Sequence, residues 1–312
     1  MKAEAIGRKA IKIINGLLNY IVIIVVVALT SFAGYALWDS NQLHKAADKS
    51  NYSVYKPTEE NQGTSFLALQ ALNSEVIAWL SVYGTNIDYP VTQGTSNMKY
   101  VNTNAEGLYA LSGSIFLDCR NTNDFSDFNS ILYGHHMAKK VMFGEIGEFA
   151  DRNIFDSHRY GNLYFDGKDH GIEFFAFVRT DAYDSAVFTP NIQGTHRDEY
   201  LDGLHAKTVH KRDVGVTAED RIVLLSTCST NSTNGRDILV GRITDETYDD
   251  PSSSAGTSAG IRQTATDDPH DSEKKVPVLK IALAIIVAIG IIICAFVLLY
   301  KWSRKKKDKK QR

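Results

Sequence analysis

The chain has 312 residues, of which 44% are apolar and 22% are charged, and its formal net charge is −2. That near-neutral total conceals an acidic centre, because residues 40–273 hold 19 Lys and Arg against 33 Asp and Glu, a balance of 19 − 33 = −14. An acidic surface argues against nucleic acid as a partner, since phosphate binding needs a basic one. Only Cys119 and Cys228 lie in this centre, which excludes a disulfide-dense scaffold but leaves open whether the two pair.

Two apolar segments near the chain ends, residues 13–38 and 278–300, are each long enough to cross a bilayer, which needs about 20 apolar residues. Lys and Arg precede the first segment and follow the second. The positive-inside rule therefore predicts that both termini are cytoplasmic and that the chain between the spans lies outside the cell. A buried core helix is the alternative for each segment. A cleaved signal peptide is a further alternative for the first, although its apolar run is longer than a signal core usually is.

Composition also divides the chain between the two spans. Residues 39–64 are polar without periodicity and suit a stalk, whereas residues 248–277 are rich in Ser, Thr, Gly and Asp and suit a flexible linker. The remainder is long enough for one globular domain. The predicted order is a basic N-terminus (1–12), a transmembrane helix (13–38), a stalk (39–64), a globular domain (65–247), a linker (248–277), a transmembrane helix (278–300) and a basic cytoplasmic tail (301–312).

Periodicity within the globular domain predicts many short strands and few helices. Helical spacing of apolar residues occurs in 65–80, 141–153 and 195–207, with Asn73 or Ser74 as an interruption that caps a second short helix. Short apolar or alternating runs between turn-forming residues predict strands within 85–94, 112–118, 129–135, 172–180, 222–225 and 238–240. Five or more short strands with few helices indicate a curled or closed sheet rather than a doubly wound one.

Cys228 lies where the apolar strand 222–225 gives way to a polar loop rich in Ser, Thr and Asn. A thiol at a strand end is held by the sheet yet open to solvent, which suits a nucleophile. The alternative is a small core residue, because a free cysteine is mostly buried.

Two adjacent histidines, His135 and His136, end the strand predicted within 129–135. A cysteine nucleophile needs a nearby imidazole that holds it as a thiolate or protonates a leaving amine. Metal binding is the alternative for a histidine pair. Adjacent strand residues point to opposite faces, and no third ligand has suitable spacing, so the sequence predicts no metal site.

Five sequence blocks occur in order between residues 65 and 245. They are WLSVYGTNIDYPV, Asn97 with Tyr100 in an N-x-x-Y pattern, GSIFLDCRN, NSILYGHHM followed by MF, and LLSTC followed by a Gly-Arg pair that enters a strand. With these blocks the domain resembles the sortases, membrane-anchored cysteine transpeptidases of Gram-positive bacteria, and class B most closely. The resemblance implies a mainly β fold with helices, a closed eight-stranded sortase-type β-barrel, flanked here by two transmembrane helices. The second span is unusual for class B and resembles class C, the pilin polymerases.

Carried over residue by residue, the resemblance implies that Cys228 is the nucleophile, His135 the catalytic histidine and Arg236 the catalytic arginine. Arg242 is the alternative arginine, and Arg236 could instead be a surface charge paired with Asp237. The further positions that match are implied to bind substrate: Thr227, Ser226 and Asn97. Ordinary strand-end polar residues are the alternative for Thr227 and Ser226.

The implied reaction cleaves a C-terminal sorting motif of secreted proteins, forms a thioacyl enzyme and transfers the acyl group to an amine, which anchors proteins to the cell wall. It needs no cofactor. The implied partners are proteins with a sorting signal, an acceptor amine from a peptidoglycan precursor or a pilin lysine, and the membrane. A pilin-polymerising sortase, an extracellular cysteine peptidase and a catalytically inactive surface scaffold are the alternatives.

Overall fold

We describe the fold from a computed structural model, which describes residues 2–58 and 60–250. The predictions made for the linker beyond residue 250, the second span (278–300) and the basic tail (301–312) lie outside these residues. The α-helices are α1 (Lys2–Ala46), α2 (Thr64–Leu72), α3 (Arg152–Ser157) and α4 (His196–Ala206). The 3₁₀ helices cover Lys49–Tyr55, Lys99–Val101, Ala138–Lys140 and Ile146–Ala150. The strands are β1 (Val76–Val82), β2 (Asp88–Thr92), β3 (Ile115–Leu117), β4 (Asn129–Tyr133), β5 (Tyr160–Phe165), β6 (Lys168–Asp181), β7 (Thr208–Lys211), β8 (Arg221–Cys228) and β9 (Gly235–Thr244).

Eight of these strands close into a barrel, as predicted. The order around it is β5-β1-β2-β3-β4-β8-β9-β6, and pairing between β5 and β6 closes the ring. The long strand β6 makes the closure possible, because its first half pairs with β5 while its second half pairs with β7. β9 pairs with β6 from Gly171 to Asp181 on the other side. The ninth strand, β7, therefore extends the sheet without entering the ring.

The strand β8 is buried on both faces, which explains its unbroken Ile-Val-Leu-Leu run. Val223 and Leu225 belong to the larger hydrophobic cluster of the barrel. Ile222 and Leu224 point the opposite way and join a second cluster that includes α4 residues. The predicted helix in 195–207 is thus confirmed, and it packs on the strands that precede Cys228.

Two helix predictions were wrong in detail. The second short helix expected before residue 80 is the strand β1, whose Val76 and Ile77 begin a run that pairs with β2 and β5. β-branched and aromatic side chains there favour a strand, and tertiary pairing overrides the apparent helical spacing. The helix expected over 141–153 begins later, because Met142 has a positive φ of 53° that a helix does not allow.

The first apolar segment forms part of α1, a helix long and apolar enough to cross a membrane. No part of its most apolar window is buried inside the protein. This exposure makes the core-helix alternative for the first segment wrong. A signal sequence passes the same test of length and composition, so the transmembrane assignment stays a prediction.

Candidate active site

Cys228 is the last residue of β8, and its side chain is exposed. The core alternative for this cysteine is therefore wrong. Both Cys119 and Cys228 are free thiols, so they do not form a disulfide in this structure. The chain turns back after Cys228 and enters β9 at Gly235, which sets Arg236 directly opposite Cys228.

A row of side chains crosses the sheet at this end of the barrel. Cys228 pairs with Arg236 across β8 and β9, and Arg236 pairs with Thr180 across β9 and β6. Directly opposed residues of antiparallel strands point to the same face. The thiol and the guanidinium group therefore share one face of the sheet, the outer one, which continues from Ile222 and Leu224.

His135 follows β4, the strand that neighbours β8 on the side away from β9. Strand β4 runs parallel to β8 with Tyr133 beside Ser226, and the amide of Gly134 donates to the Ser226 carbonyl at 3.2 Å. One residue further, the Thr227 hydroxyl donates to the Gly134 carbonyl at 2.8 Å. The backbone segments that follow β4 and end β8 thus stay adjacent up to Gly134 and Thr227, the positions that precede His135 and Cys228.

Gly134 allows this strand to end against the barrel. A Cβ atom at Gly134 would lie 2.7 Å from the ring of Phe143, closer than real Cβ contacts. The amide of Phe143 donates to the His135 carbonyl at 3.1 Å. The glycine and this hydrogen bond together hold the backbone of His135 beside the end of β8.

The imidazole of His135 is held in one tautomer. Its Nε2 lies 2.8 Å from the carbonyl oxygen of Val101, and a carbonyl only accepts, so Nε2 carries the proton. Nδ1 has no hydrogen-bond partner within residues 2–58 and 60–250. In the neutral ring this nitrogen is the one that can accept a proton.

The guanidinium group of Arg236 donates to the carbonyl of Gly235 at 3.0 Å and forms no ion pair with the described residues. Asp237 is bound instead by Arg179, at 2.8 Å between Nε and Oδ1. The alternative pairing of Arg236 with Asp237 is therefore wrong, because adjacent strand residues point to opposite faces. Arg242, the alternative arginine, pairs with Glu173 at 2.7 Å and lies six residues further along β9.

The predicted substrate-binding residues have different surroundings. Ser226 and Thr227 are 1% and 2% exposed. The Ser226 hydroxyl has no partner among the described residues, whereas that of Thr227 is engaged by Gly134. Asn97 is half-buried and bridges two groups after β3, because its Nδ2 donates to Asp118 at 3.0 Å and its Oδ1 accepts from the Cys119 amide at 2.7 Å.

Asp118 and Tyr133 lie beside the predicted residues Asn97 and Ser226 but are not among the residues predicted from the sequence. The Asp118 carboxylate is buried and receives hydrogen bonds from Asn97, from the Tyr133 hydroxyl at 3.0 Å and from Arg120 at 2.7 Å. Burial raises the pKa of Asp118, but hydrogen bonds from Arg120 and Asn97 outweigh it and hold the pKa below its ordinary value. Burial, with the negative charge of Asp118, raises the pKa of Tyr133. The sequence signal for them is that Asp118 lies in the block GSIFLDCRN and Tyr133 lies in the block NSILYGHHM, two residues before His135.

A cavity of ≈ 450 Å³ lies on the other side of the β8–β9 hairpin. Its lining includes His136, Lys139, Lys140, Arg179 and Asp237. His136 thus faces this cavity, while His135 bonds to Val101. Among residues 2–58 and 60–250, no three His, Cys, Asp or Glu side chains cluster closely enough to hold a metal ion.

No family model matches the chain. A curated relative, sortase B of Listeria monocytogenes, is 33% identical over 177 residues, which are 56% of this chain and 72% of the relative. The crystal structure of sortase B from the type II pilus of Streptococcus pneumoniae is 48% identical with a TM-score of 0.51, over 57% of this chain and 98% of that one. A class B sortase of Streptococcus pyogenes involved in pilus biogenesis is 43% identical with a TM-score of 0.54, over 58% and 99% of the two chains.

Proposed function

The chain belongs to the class B sortases, and from this membership we propose that Cys228, His135 and Arg236 carry out its reaction. A class B sortase is a cysteine transpeptidase that acts on proteins with a sorting signal and is associated with the membrane. The observation that supports the residue assignment is the pairing of Cys228 with Arg236 across β8 and β9, with the backbone of Gly134, the residue before His135, bonded to β8.

In the first half-reaction, Nδ1 of His135 accepts the proton of the Cys228 thiol. The thiolate sulfur attacks the carbonyl carbon of the scissile amide, and the carbonyl oxygen becomes an oxyanion. Arg236 stabilises that oxyanion with its fixed fork of donors, because it is always charged and has no carboxylate partner among the described residues. His135 then gives its proton to the leaving amine as the C–N bond breaks. The result is a thioester on Cys228.

In the second half-reaction, an amine attacks the thioester carbonyl. His135 accepts the proton that the amine loses, the C–S bond breaks, and the thiolate leaves. The hydrogen bond from Nε2 to Val101 supports this role, because it orients the ring and keeps Nδ1 unprotonated in the neutral form. If water replaced the amine, the same steps would give a cysteine peptidase of class EC 3.4.22.

We assign Ser226, Thr227 and Asn97 to the substrate-binding region at different distances from the acyl group. Ser226 lies on the same strand face as Cys228, two residues before it. Thr227 faces the other way and acts through Gly134, so we propose that it positions His135. Asn97 orders the segment after β3 and supports Asp118, which holds Tyr133 beside Ser226.

The acceptor distinguishes two proposals. Anchoring to the cell wall needs an amine from a peptidoglycan precursor, whereas pilus assembly needs a lysine of a pilin subunit. The second candidate is favoured by one observation: the matches involved in pili are 48% and 43% identical, against 33% for the Listeria relative. We also propose a two-pass arrangement with both termini cytoplasmic and residues 39–277 outside, on the basic flanks and apolar segments 13–38 and 278–300. Terminal epitope tags that become accessible only after the membrane is opened would support this topology, and tags accessible in intact cells would refute it.

The reaction is tested with the full-length chain in detergent, a panel of sorting-motif peptides, and either a peptidoglycan-type amine or a lysine-bearing pilin peptide. Mass spectrometry should find a thioacyl adduct on Cys228 that resolves onto one of the two amines. Cys228→Ala should abolish adduct and product, whereas Cys119→Ala, the matched loss of the other outer thiol, should retain both. Products of water attack alone would favour a peptidase. An adduct that survives Cys228→Ala would refute the nucleophile assignment.

A further inference from the structure

The loop that follows His136 lies beside α1 close to the end of its apolar segment. The ammonium group of Lys139 donates to Oδ1 of Asn41 at 3.0 Å. Asn41 is three residues beyond Trp38, the last residue of the apolar segment, and a helix rises about 1.5 Å per residue. Lys139 is therefore bonded to the helix only about 4.5 Å past the apolar boundary.

That distance falls within the headgroup layer of a bilayer. The hydrocarbon core is about 30 Å thick and the whole bilayer about 40–45 Å, which leaves about 5–8 Å of headgroups on each side. Tyr35 and Trp38, whose ring centroids are 6.2 Å apart, are the aromatic pair expected at the boundary of the hydrocarbon. If Trp38 lies at that boundary, Asn41 and Lys139 lie among the headgroups.

The residues that reach this level form a basic loop, which we define as residues 137–141. Ala138, Lys139 and Lys140 are exposed, and no carboxylate pairs with Lys139 among the described residues. Lys140 pairs with Glu148 at 2.9 Å and Glu145 at 3.4 Å. This basic pair is conspicuous on a domain whose balance of charges is strongly acidic.

The loop is held in a defined shape. Lys139 and Lys140 have φ values of 59° and 60°, in the left-handed region that side chains rarely adopt. A bridge between His136 and Met142 closes the loop at its base. Such backbone conformations persist only where the surrounding structure holds them, and they cluster at ligand sites.

Behind the loop lies the ≈ 450 Å³ cavity described above. Lys139 and Lys140 line it together with Arg179, against the acidic Glu148 and Asp237. Asp237 is already paired with Arg179, and Glu148 with Lys140. Among the described residues, the charge in this lining that has no acidic partner is that of Lys139, so the cavity favours an anionic group.

We propose that the basic loop, with the cavity behind it, binds the phosphate-bearing headgroup of an anionic lipid in the outer leaflet. The active-site end of the barrel is thereby fixed at the membrane surface, because the loop begins immediately after the two histidines. The inference rests on the proposed membrane span of α1 and is independent of the chemistry assigned to Cys228.

The test uses the full-length chain in bilayer nanodiscs with brominated lipids, which quench tryptophan at close range. Ala138→Trp adds an indole to the basic loop. Lys168→Trp is the matched control, because Lys168 is exposed and begins β6 at the end of the barrel opposite Cys228. We expect brominated phosphatidylglycerol to quench the indole added at position 138 and not the one added at 168. Brominated phosphatidylcholine should quench it less at the same mole fraction.

The charge of Lys139 is tested in the same assay. A lysine near an anionic surface contributes enough binding that Lys139→Gln should raise the half-saturating mole fraction of phosphatidylglycerol about fivefold. Lys168→Gln should leave it unchanged. Equal quenching by both lipids, unaffected by Lys139→Gln, would mean that the tether alone brings the loop near the membrane and would overturn the proposal. Loss of the quenching on addition of inorganic phosphate would assign the site to free phosphate instead.

Native Trp38 tests whether α1 spans the membrane, on which the loop proposal depends. The difference in quenching between the unmodified chain and Trp38→Phe shows whether α1 is inserted. Quenching of Trp38 without quenching at position 138 would overturn the loop proposal alone. Absence of both would overturn the span and, with it, the loop proposal, while thioacyl formation on Cys228 would still be measurable in detergent.

Discussion

The two faces of the β8–β9 pair differ at the active-site end of the barrel. On the outer face, Cys228 is exposed and Arg236 has no acidic partner among the described residues. On the inner face, one residue earlier on β8 and one later on β9, Thr227 and Asp237 are buried and bonded to Gly134 and Arg179. Buried polar groups are costly unless they are paired, so the inner face fixes the strand ends. The outer face keeps its hydrogen-bonding capacity for a substrate.

The largest expected effect comes from removing the arginine of the outer face. Arg236→Ala should lower kcat by about 10²–10³, the usual result of losing one oxyanion donor, with little change in the unfolding temperature. Arg236→Lys should restore little, because an ammonium group does not reproduce the fork of donors. Steady-state transpeptidation kinetics and thermal unfolding measure both.

Arg242→Ala is the control for that prediction. Arg242 lies on the same strand but is bonded to Glu173 at 2.7 Å, as is Arg159. We expect this variant to lower the unfolding temperature and to retain kcat below that temperature. An equal loss of kcat in Arg236→Ala and Arg242→Ala, with both variants folded, would contradict the assignment of Arg236.

The next largest effect concerns the inner face. Asp237→Asn should lower the free energy of unfolding by about 1–3 kcal/mol, because the buried Asp237 side chain loses its charge-assisted hydrogen bond from Arg179. Urea unfolding measures this change. Asp245→Asn is matched to it as the loss of an exposed pair with Arg221 and should cost less than about 1 kcal/mol. If the two variants were equally stable, the contrast between the faces would not rest on the ion pair of the buried Asp237.

The partners of the side chains on the two faces were the feature of the site that the sequence alone predicted least well. Adjacent residues of a strand point to opposite faces, but the sequence alone did not establish that Arg236 and Asp237 both lie in a strand. An ion pair between them therefore remained an alternative. Asp118 and Tyr133 are far apart along the chain and meet because β3 and β4 pair, with Phe116 beside Tyr133. Such partners depend on register, which a periodic pattern does not specify.

The positions of Cys228 and His135 were easier to predict, because each ends a short apolar run before a change in composition. The eight-stranded closure was implied only by the resemblance, since a periodic pattern gives strands but not their order. The strand β1 was mistaken for a helix, because Val76, Ile77 and Leu80 satisfy helical spacing as well as a buried strand does. Pairing with β2 and β5 makes this segment a strand, and neither pairing can be predicted from the local sequence.

A smaller effect tests whether Thr227 belongs to the inner face in function as well as in position. Thr227→Val keeps the shape and removes the hydroxyl bond to Gly134, which should cost about 0.5–1.5 kcal/mol of stability. Because Gly134 precedes His135, we expect Thr227→Val also to lower kcat, while KM changes little. Thr227→Ser keeps the hydroxyl and should preserve both. A raised KM with unchanged stability would instead make Thr227 a substrate contact.

The smallest expected effect comes from His170, a buried side chain with a ring nitrogen that lacks a hydrogen-bond partner among the described residues. This histidine is 2% exposed, stacks on Phe165 with ring centroids 3.8 Å apart, and its Nδ1 has no partner among the described residues. Burial, followed by the charges of Lys168 and Arg221, lowers the pKa of His170. The unfolded chain then binds a proton that the folded chain does not, so the free energy of unfolding falls as pH drops below about 6.5. Urea unfolding between about pH 7.5 and 5.5 should show this slope, weakened in His170→Phe and kept in His196→Gln, which alters an exposed histidine of α4. An unchanged slope in His170→Phe would mean that another group is responsible for the pH dependence. The unpaired nitrogen of His170 would then carry no measurable cost, and the far end of the barrel would not differ from the inner face beside Cys228.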